Sequence, residues 1–351
     1  MTSARAGSRH GCRPFGRQGK YLSNAQPRAT IVSTVNTHRL PERAPPGTAP
    51  AVSVVVIFKD AQDFLAEAID SVVAQTLTAW ELILVDDGSS DGSTAIARNR
   101  ARDDPSRVVY LEHAGHANLG MSASRNLGIS HADGEFIAFL DADDALVPTG
   151  LDEQVAILRA HPGVGMVYGP LEYWHGWTGT AEDVARDFIH PVGVATEQIY
   201  EPPSLIGVFV RDIGFAPSGM LLRRALVNQI DGFEEAFRGL YEDQVFAAKV
   251  CRTTPVYVSG RCWYRYRQHP ASCCLTAARE GRLDDARAPF LRWLVGYLER
   301  EGLSGTDAWR VARAQLRRHS AAGRLLARAA GAGRLIRQLA IAASSVGRGD
   351  R

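Results

Sequence analysis

Two acidic runs in this chain follow apolar stretches directly. Asp86-Asp87-Gly88 comes after ELILV, and Asp141-Ala142-Asp143-Asp144 comes after EFIAFL. Both apolar stretches read as buried strands, so both acidic runs lie where strands end. In an open parallel sheet, ligands bind in the crevice beyond the carboxyl ends of the strands. Carboxylates gathered there repel and raise one another's pKa unless a cation or hydrogen-bond donors compensate. A hard divalent ion, Mg²⁺ or Mn²⁺, takes oxygen ligands and bridges one or two carboxylates to substrate phosphates. Asp-x-Asp at a strand end therefore suits metal-assisted binding of a diphosphate. Such turns also serve as plain helix caps, and Asp144 reads equally as a turn residue ahead of Pro148. Further on, Glu242-Asp243 opens an amphipathic helix. The helix dipole alone favours acids in a first turn, while a carboxylate held there can also take a proton from a hydroxyl.

The elements that must position these groups alternate. VSVVVIF (52–58) is β-branched and apolar on both faces, as a buried parallel strand is. FLAEAIDSVVAQT (64–76) repeats apolar residues at helical spacing, and ELILVD (81–86) is a second strand. A helix at 93–102, a strand at 107–112, a helix at 121–131 and a strand at 135–141 continue the pattern. Strands alternating with helices predict an α/β fold with right-handed crossovers. Beyond 145 the pattern loosens. A helix at 148–160 and a strand at 164–169 precede an irregular stretch, 170–212, which holds Tyr173, Trp174 and Trp177. A strand at 219–223, a helix at 242–252, a strand at 262–268 and a helical tail at 284–345 follow. Residues 1–50 lack hydrophobic periodicity, end in PERAPPGTAP, and read as a disordered extension.

Composition excludes several classes. The formal charge is +2, yet residues 51–300 carry 34 acids against 22 Lys and Arg. An acidic centre argues against nucleic acid as partner, which requires a basic face. The five cysteines form no metal-type CxxC pair and read as reduced thiols of a cytoplasmic protein. No apolar run approaches the ~20 residues of a membrane span, and no secretory signal opens the chain. A dinucleotide-dependent oxidoreductase needs glycines between the first strand and helix, where this chain has KDAQD. DADDALVPTGLD fits no EF-hand loop, because its fifth position is Ala and its twelfth is Asp.

Taken together, VSVVVIFKDAQDFLAEAIDSVVAQT, ELILVDDGSSDGS and GMSASRNLGISHADGEFIAFLDADD resemble the family 2 glycosyltransferases in order and spacing. The resemblance is strong over about 52–170 and continues more loosely to about 275, through YEDQVFAAKV (241–250) and YRQHPAS (266–272). It implies a GT-A fold, a Rossmann-like and mostly parallel sheet flanked by helices. The catalytic domain would be 51–280, with a nucleotide-sugar half at 51–145, an acceptor half at 146–280 and a helical basic tail at 281–351. The implied reaction is metal-dependent, inverting transfer of a sugar from a nucleotide-diphosphate donor to a saccharide or lipid-linked acceptor in cell-envelope synthesis. On this resemblance Asp87, Asp141, Asn118 and Arg125 contact the nucleotide, and Asp143 and His269 attend the metal. Asp243 is the catalytic base, with Glu242 beside it. Aromatic rings bind the C–H faces of sugars, so Trp174 and Trp177 are candidates for the acceptor site, with Tyr173 and Trp263 behind them. A relative that binds the nucleotide sugar without turning it over stays open. The chain departs from the family at the end of its first strand, where Ile57-Phe58-Lys59-Asp60 replaces Pro-x-Tyr-Asn and leaves the base unassigned.

The tail places Trp309, Val311, Ala312, Leu316, Leu325, Leu326, Leu335, Ile336 and Leu339 among many Arg residues. That pattern suits peripheral attachment to an anionic membrane, and equally suits packing on the domain.

Overall fold

The computed structural model describes residues 49–211 and 219–319. The expected N-terminal extension lies outside them but for its last two residues, as does the tail beyond His319.

The first half alternates as its periodicity requires: β1 (Val52–Phe58), α1 (Leu65–Val73), β2 (Trp80–Asp86), α2 (Ser93–Asp103), β3 (Val108–Glu112), α3 (Met121–Ser130) and β4 (Phe136–Asp141). The second half runs β5 (Ala145–Leu146), α4 (Gly150–Ala160), β6 (Met166–Tyr168), β7 (Leu171–Trp174), α5 (Ala181–Val184), β8 (Phe188–His190), β9 (Gln198–Tyr200) and α6 (Ile206–Val210). It continues with β10 (Leu221–Arg223), α7 (Arg224–Gln229), α8 (Glu242–Thr253), β11 (Val256–Val258), β12 (Tyr264–Arg267), α9 (Cys273–Arg279), α10 (Arg282–Arg300) and α11 (Asp307–His319).

Eight strands form one sheet in the order β3-β2-β1-β4-β10-β6-β11-β9. The four on the β3 side are parallel, with Phe58 opposite Asp86 and Ile57 opposite Asp141. This register aligns the ends of three strands and brings both acidic runs to one edge. Every residue of β1 is buried, because side chains alternate between two covered faces. Val55 and Ile57 enter one core with α8 and α10, while Val52, Val54, Val56 and Phe58 enter another with α1 and α4.

The sheet is not parallel throughout. β10 lies antiparallel between β4 and β6. The stretch GMLLR announced a strand but carried no signal for its direction. A second sheet, in the order β5-β12-β7-β8, stands beside the first. Its β5 begins one residue after Asp144 and pairs with β12, so the acidic turn is tied to the strand that leads to His269.

The tail helices belong to this body. Phe290, Leu291, Leu294 and Leu298 of α10, with Ala308 and Ala312 of α11, are buried in the core below the sheet. Trp309, Val311 and Leu316 pack against the same core. The apolar stripe read as a membrane face is therefore turned onto the domain as far as His319, since burial among apolar neighbours satisfies it there. Its remainder lies outside the described residues. Among the described residues no helix is long and apolar enough to cross a membrane.

α3 reaches β1 closely because Gly128 has no side chain; a Cβ there would come within 2.4 Å of Val55 Cγ1. Gly128→Ala pushes α3 off the sheet and is expected to cost about 1–3 kcal/mol as an overpacked site. Urea unfolding measures this, and a neutral result would mean that α3 relaxes freely.

Candidate active site

The acidic turn after β4 divides its labour by burial. Asp144, 1% exposed, accepts hydrogen bonds from the Tyr264 hydroxyl and, at 2.7 Å, from the Arg267 amide. Its burial, then the neighbouring Asp143 and Asp141 charges, push its carboxyl well above the usual range. Asp144 thus anchors the turn to β12 and offers nothing to a ligand. Asp141 and Asp143 stay half-buried. Asp143 Oδ2 stands 3.0 Å from His269 Nε2, and the His269 ring lies 4.6 Å from that of Phe64.

Arg267 closes this wall. It is 2% exposed, donates from Nε to the Asp143 carbonyl at 2.6 Å, and from Nη2 to Glu67 Oε2 at 2.6 Å. Its guanidinium sits over the rings of Phe64, Trp174 and Trp177 at 5.0, 4.4 and 5.2 Å. Trp174 also receives Arg265 at 5.4 Å, and Trp177 Nε1 donates to the Gln268 carbonyl at 3.0 Å. The two tryptophans, expected to bind the acceptor, stand half-buried beside this guanidinium, each in cation–π contact with it. Trp263 is core, donating to Glu153 at 2.8 Å. Tyr173 stacks on Phe188 at 4.9 Å. Arg267 itself went unassigned in the sequence, although its place two residues before His269 was the available signal.

The opposite wall is built on Arg125. Its guanidinium, also 2% exposed, reaches Asp141 Oδ1 from Nη2 at 2.8 Å and Glu242 Oε1 from Nη1 at 3.1 Å. The Phe233 ring lies beneath it at 5.3 Å. Arg125, expected to contact the nucleotide, pairs here with these two protein carboxylates. It joins the end of β4 to the start of α8, where the acid pair sits. Burial raises the pKa of both Glu242 and Asp243, and for Glu242 the adjacent Asp243 charge adds to it. Glu242 is held by Arg125. Asp243 Oδ1 accepts the Gln244 amide at 2.8 Å and forms no ion pair among the described residues.

Asp87 is buried and accepts the backbone amides of Leu119 and Gly120 at 2.8 and 3.0 Å. It fixes the loop before α3. Asn118, in the same loop, is exposed, with its carbonyl held by Arg238 at 2.8 Å. At the departure from the family pattern, Lys59 pairs with Asp60, and Asp60 Oδ1 accepts the Ser90 amide at 2.6 Å. The Lys59 hydrogen bond, then the Ser90 amide, lower the Asp60 pKa to about 2.

Among the described residues no group of three or more His, Cys, Asp or Glu side chains converges on one point. Asp143 and His269 converge as a pair, one carboxylate oxygen and one imidazole nitrogen. The carboxylate oxygen suits Mn²⁺ or Mg²⁺ and the imidazole suits the softer Mn²⁺ better, so a bound ion would take most of its ligands from phosphate oxygens and water.

A mixed α/β sheet, parallel over β3-β2-β1-β4, with an Asp-x-Asp turn at the carboxyl edge of those strands and an acidic helix start facing it, has the architecture of a GT-A glycosyltransferase. Residues 53–187 match the family model described as glycosyl transferase family 2. It is 30% identical over 191 residues to the putative glycosyltransferase EpsE of Bacillus subtilis, covering 54% of this chain and 63% of that one. It is 36% identical over 110 residues to the putative teichuronic acid biosynthesis glycosyltransferase TuaG of the same organism, covering 31% and 42%. The chain thus spans less than two thirds of the length of these relatives. Two solved structures share the fold. TarS 1-349 of S. aureus in complex with UDP aligns with TM-score 0.55 and 20% identity, over 76% of this chain and 71% of that one. The mannosyltransferase PcManGT from Pyrobaculum calidifontis, in complex with GDP-Man and Mn²⁺, aligns with TM-score 0.53 and 19% identity, over 88% and 84%.

Arg125→Met leaves Asp141 and Glu242 facing each other without their shared cation. It is expected to destabilise the fold by about 3–5 kcal/mol, the cost of breaking a buried pair. Arg125→Lys is expected to recover little, since one ammonium lacks the two-pronged fork that meets both carboxylates. Chemical unfolding of both variants decides; a loss under about 1 kcal/mol would show the bridge to be incidental.

Proposed function

We propose that this chain is a metal-assisted, inverting glycosyltransferase that moves a sugar from a nucleotide-diphosphate donor to an acceptor hydroxyl, with Asp243 as the base. One observation carries this reading: Arg125 links Asp141 of the acidic turn to Glu242 at 2.8 and 3.1 Å. The diphosphate end and the acid pair therefore share one crevice.

Within that crevice Asp243 is the better base of the pair. Glu242 is engaged by the guanidinium of Arg125, whereas Asp243 pairs with no cation among the described residues. Desolvation raises the Asp243 pKa, which makes it a stronger proton acceptor than an exposed aspartate. It takes the proton of the acceptor hydroxyl as that oxygen attacks the anomeric carbon. The bond to the nucleoside diphosphate breaks on the opposite side, and its electron pair leaves with the phosphate oxygen. A single displacement of this kind inverts the configuration. Asp143 and His269 would hold the divalent ion, which when bound supplies Lewis-acid stabilisation of the leaving diphosphate. Arg267 holds the turn that carries Asp143, and its aromatic collar excludes water from that side.

The ligands named for the structural relatives, UDP and UDP-GlcNAc with TarS and GDP-Man with PcManGT, support a nucleotide-sugar donor and leave its base open. The relative named for teichuronic acid biosynthesis supports a saccharide or lipid-linked acceptor of the cell envelope. An enzyme working on such an acceptor would act in the cytoplasm, at the inner face of the membrane.

A donor screen read by release of nucleoside diphosphate tests the activity, and absence of turnover with every donor and acceptor would leave a binding protein. Asp243→Asn keeps the volume but removes the proton acceptor. Turnover is expected to fall roughly 10²-fold or more while donor affinity survives. An equal collapse of nucleotide affinity would make Asp243 structural. Asp143→Asn is expected to abolish transfer and weaken metal-dependent nucleotide binding; full activity in excess EDTA would overturn the role of the ion.

A further inference from the structure

Tyr241, the residue immediately before the acid pair, has φ 70°. A bulky non-glycine residue in the left-handed region is strained, and such strain persists only where the surroundings hold it. The surroundings here are the C-terminal helices. The Phe290 ring of α10 lies parallel to that of Tyr241, centroids 5.0 Å apart and planes 6° apart. Arg287, one turn earlier on α10, donates from Nη1 to the Tyr241 hydroxyl at 3.3 Å and lies 5.8 Å from the ring centroid.

Arg287 is itself fixed. It is 7% exposed, and its Nη2 donates to the Val210 carbonyl at 3.0 Å and to Gln315 Oε1 at 2.6 Å. Gln315 of α11 closes the triangle by donating to the same Val210 carbonyl at 3.0 Å. A continuous set of contacts thus runs from the end of α6 and from α11, through Arg287, to Tyr241. There the backbone turns into α8 and launches Glu242 and Asp243. The arrangement exceeds what attaching α10 to the core requires, because Phe290, Leu291, Leu294 and Leu298 already bury that helix.

We infer that Arg287 is a positioning residue for the catalytic base: through Tyr241 it fixes the first turn of α8 and with it the direction of Asp243. This rests on the reading of Asp243 as the base. The C-terminal helices are then part of the catalytic apparatus, and their removal loosens the base before it affects the nucleotide wall built on Asp143, His269 and Arg267.

The test uses the full chain with Mn²⁺ and a panel of UDP-glucose, UDP-GlcNAc and GDP-mannose, followed by release of nucleoside diphosphate. Affinity for UDP and GDP in the presence of Mn²⁺ is read separately by tryptophan fluorescence. Arg287→Gln is expected to lower kcat roughly 10-fold or more, as a misplaced base does, with donor KM and nucleotide affinity held within about twofold. Arg287→Lys recovers part of the loss. Tyr241→Phe keeps the stack on Phe290, removes only the hydroxyl, and lowers kcat in the same direction without unfolding the chain. Adding Asp243→Asn to Arg287→Gln costs less than Asp243→Asn alone, because the two act on one function. Unchanged kcat in Arg287→Gln and Tyr241→Phe, beside a dead Asp243→Asn, overturns the inference and leaves the base assignment standing. Parallel loss of kcat, affinity and thermal stability also overturns it, reducing Arg287 to a structural role. Turnover that survives Asp243→Asn refutes the base assignment itself, independently of both other variants.

Discussion

Two buried arginines hold the carboxylates of this crevice in place, one by pairing with them and one by bracing the turn that carries them. Asp141, Asp143, Asp144, Glu242 and Asp243 would repel one another in a desolvated setting, and each would gain protons until the site lost its charge. Arg125 compensates Asp141 and Glu242, and Arg267 braces the turn that carries Asp143 and Asp144. Removing a charge from water is costly unless every polar atom finds a partner. The planar fork of arginine meets that requirement where lysine would not. Aromatic rings over both groups, Phe233 for Arg125 and Phe64, Trp174 and Trp177 for Arg267, exclude water and strengthen the pairs.

Each arginine also joins elements that the chain brings together late. Arg125 on α3 holds the end of β4 to the start of α8, and Arg267 on β12 holds the acidic turn to Glu67 on α1. Electrostatic compensation and geometry are therefore one device here. Arg125, which compensates two of the carboxylates, also sets the separation between the acidic turn and the acid pair. Tyr241 extends this logic to the C-terminal helices, since a strained backbone at the entry of α8 is held from α10.

Local sequence determined much of the framework. The runs VSVVVIF, ELILVD and EFIAFLD became β1, β2 and β4 because strands covered on both faces must be apolar throughout. Helical spacing announced α1, α3, α4 and α8. The acidic runs at strand ends announced the crevice, since parallel strands of similar length finish together. These signals are local, and local periodicity is what a sequence displays most directly.

What only the tertiary structure decided was which charge meets which. Arg125 and Glu242 are 117 residues apart and touch at 3.1 Å; nothing in the neighbourhood of either announces the other. The same holds for Asp87, whose oxygens went to a loop 32 residues on, and for Trp174 and Trp177, which stand in contact with Arg267. The antiparallel course of β10 was silent because alternation fixes the faces of a strand and not its direction. The stripe of α11 was ambiguous because membrane and core both reward an apolar face, and only the packed neighbours in the folded chain tell the two apart.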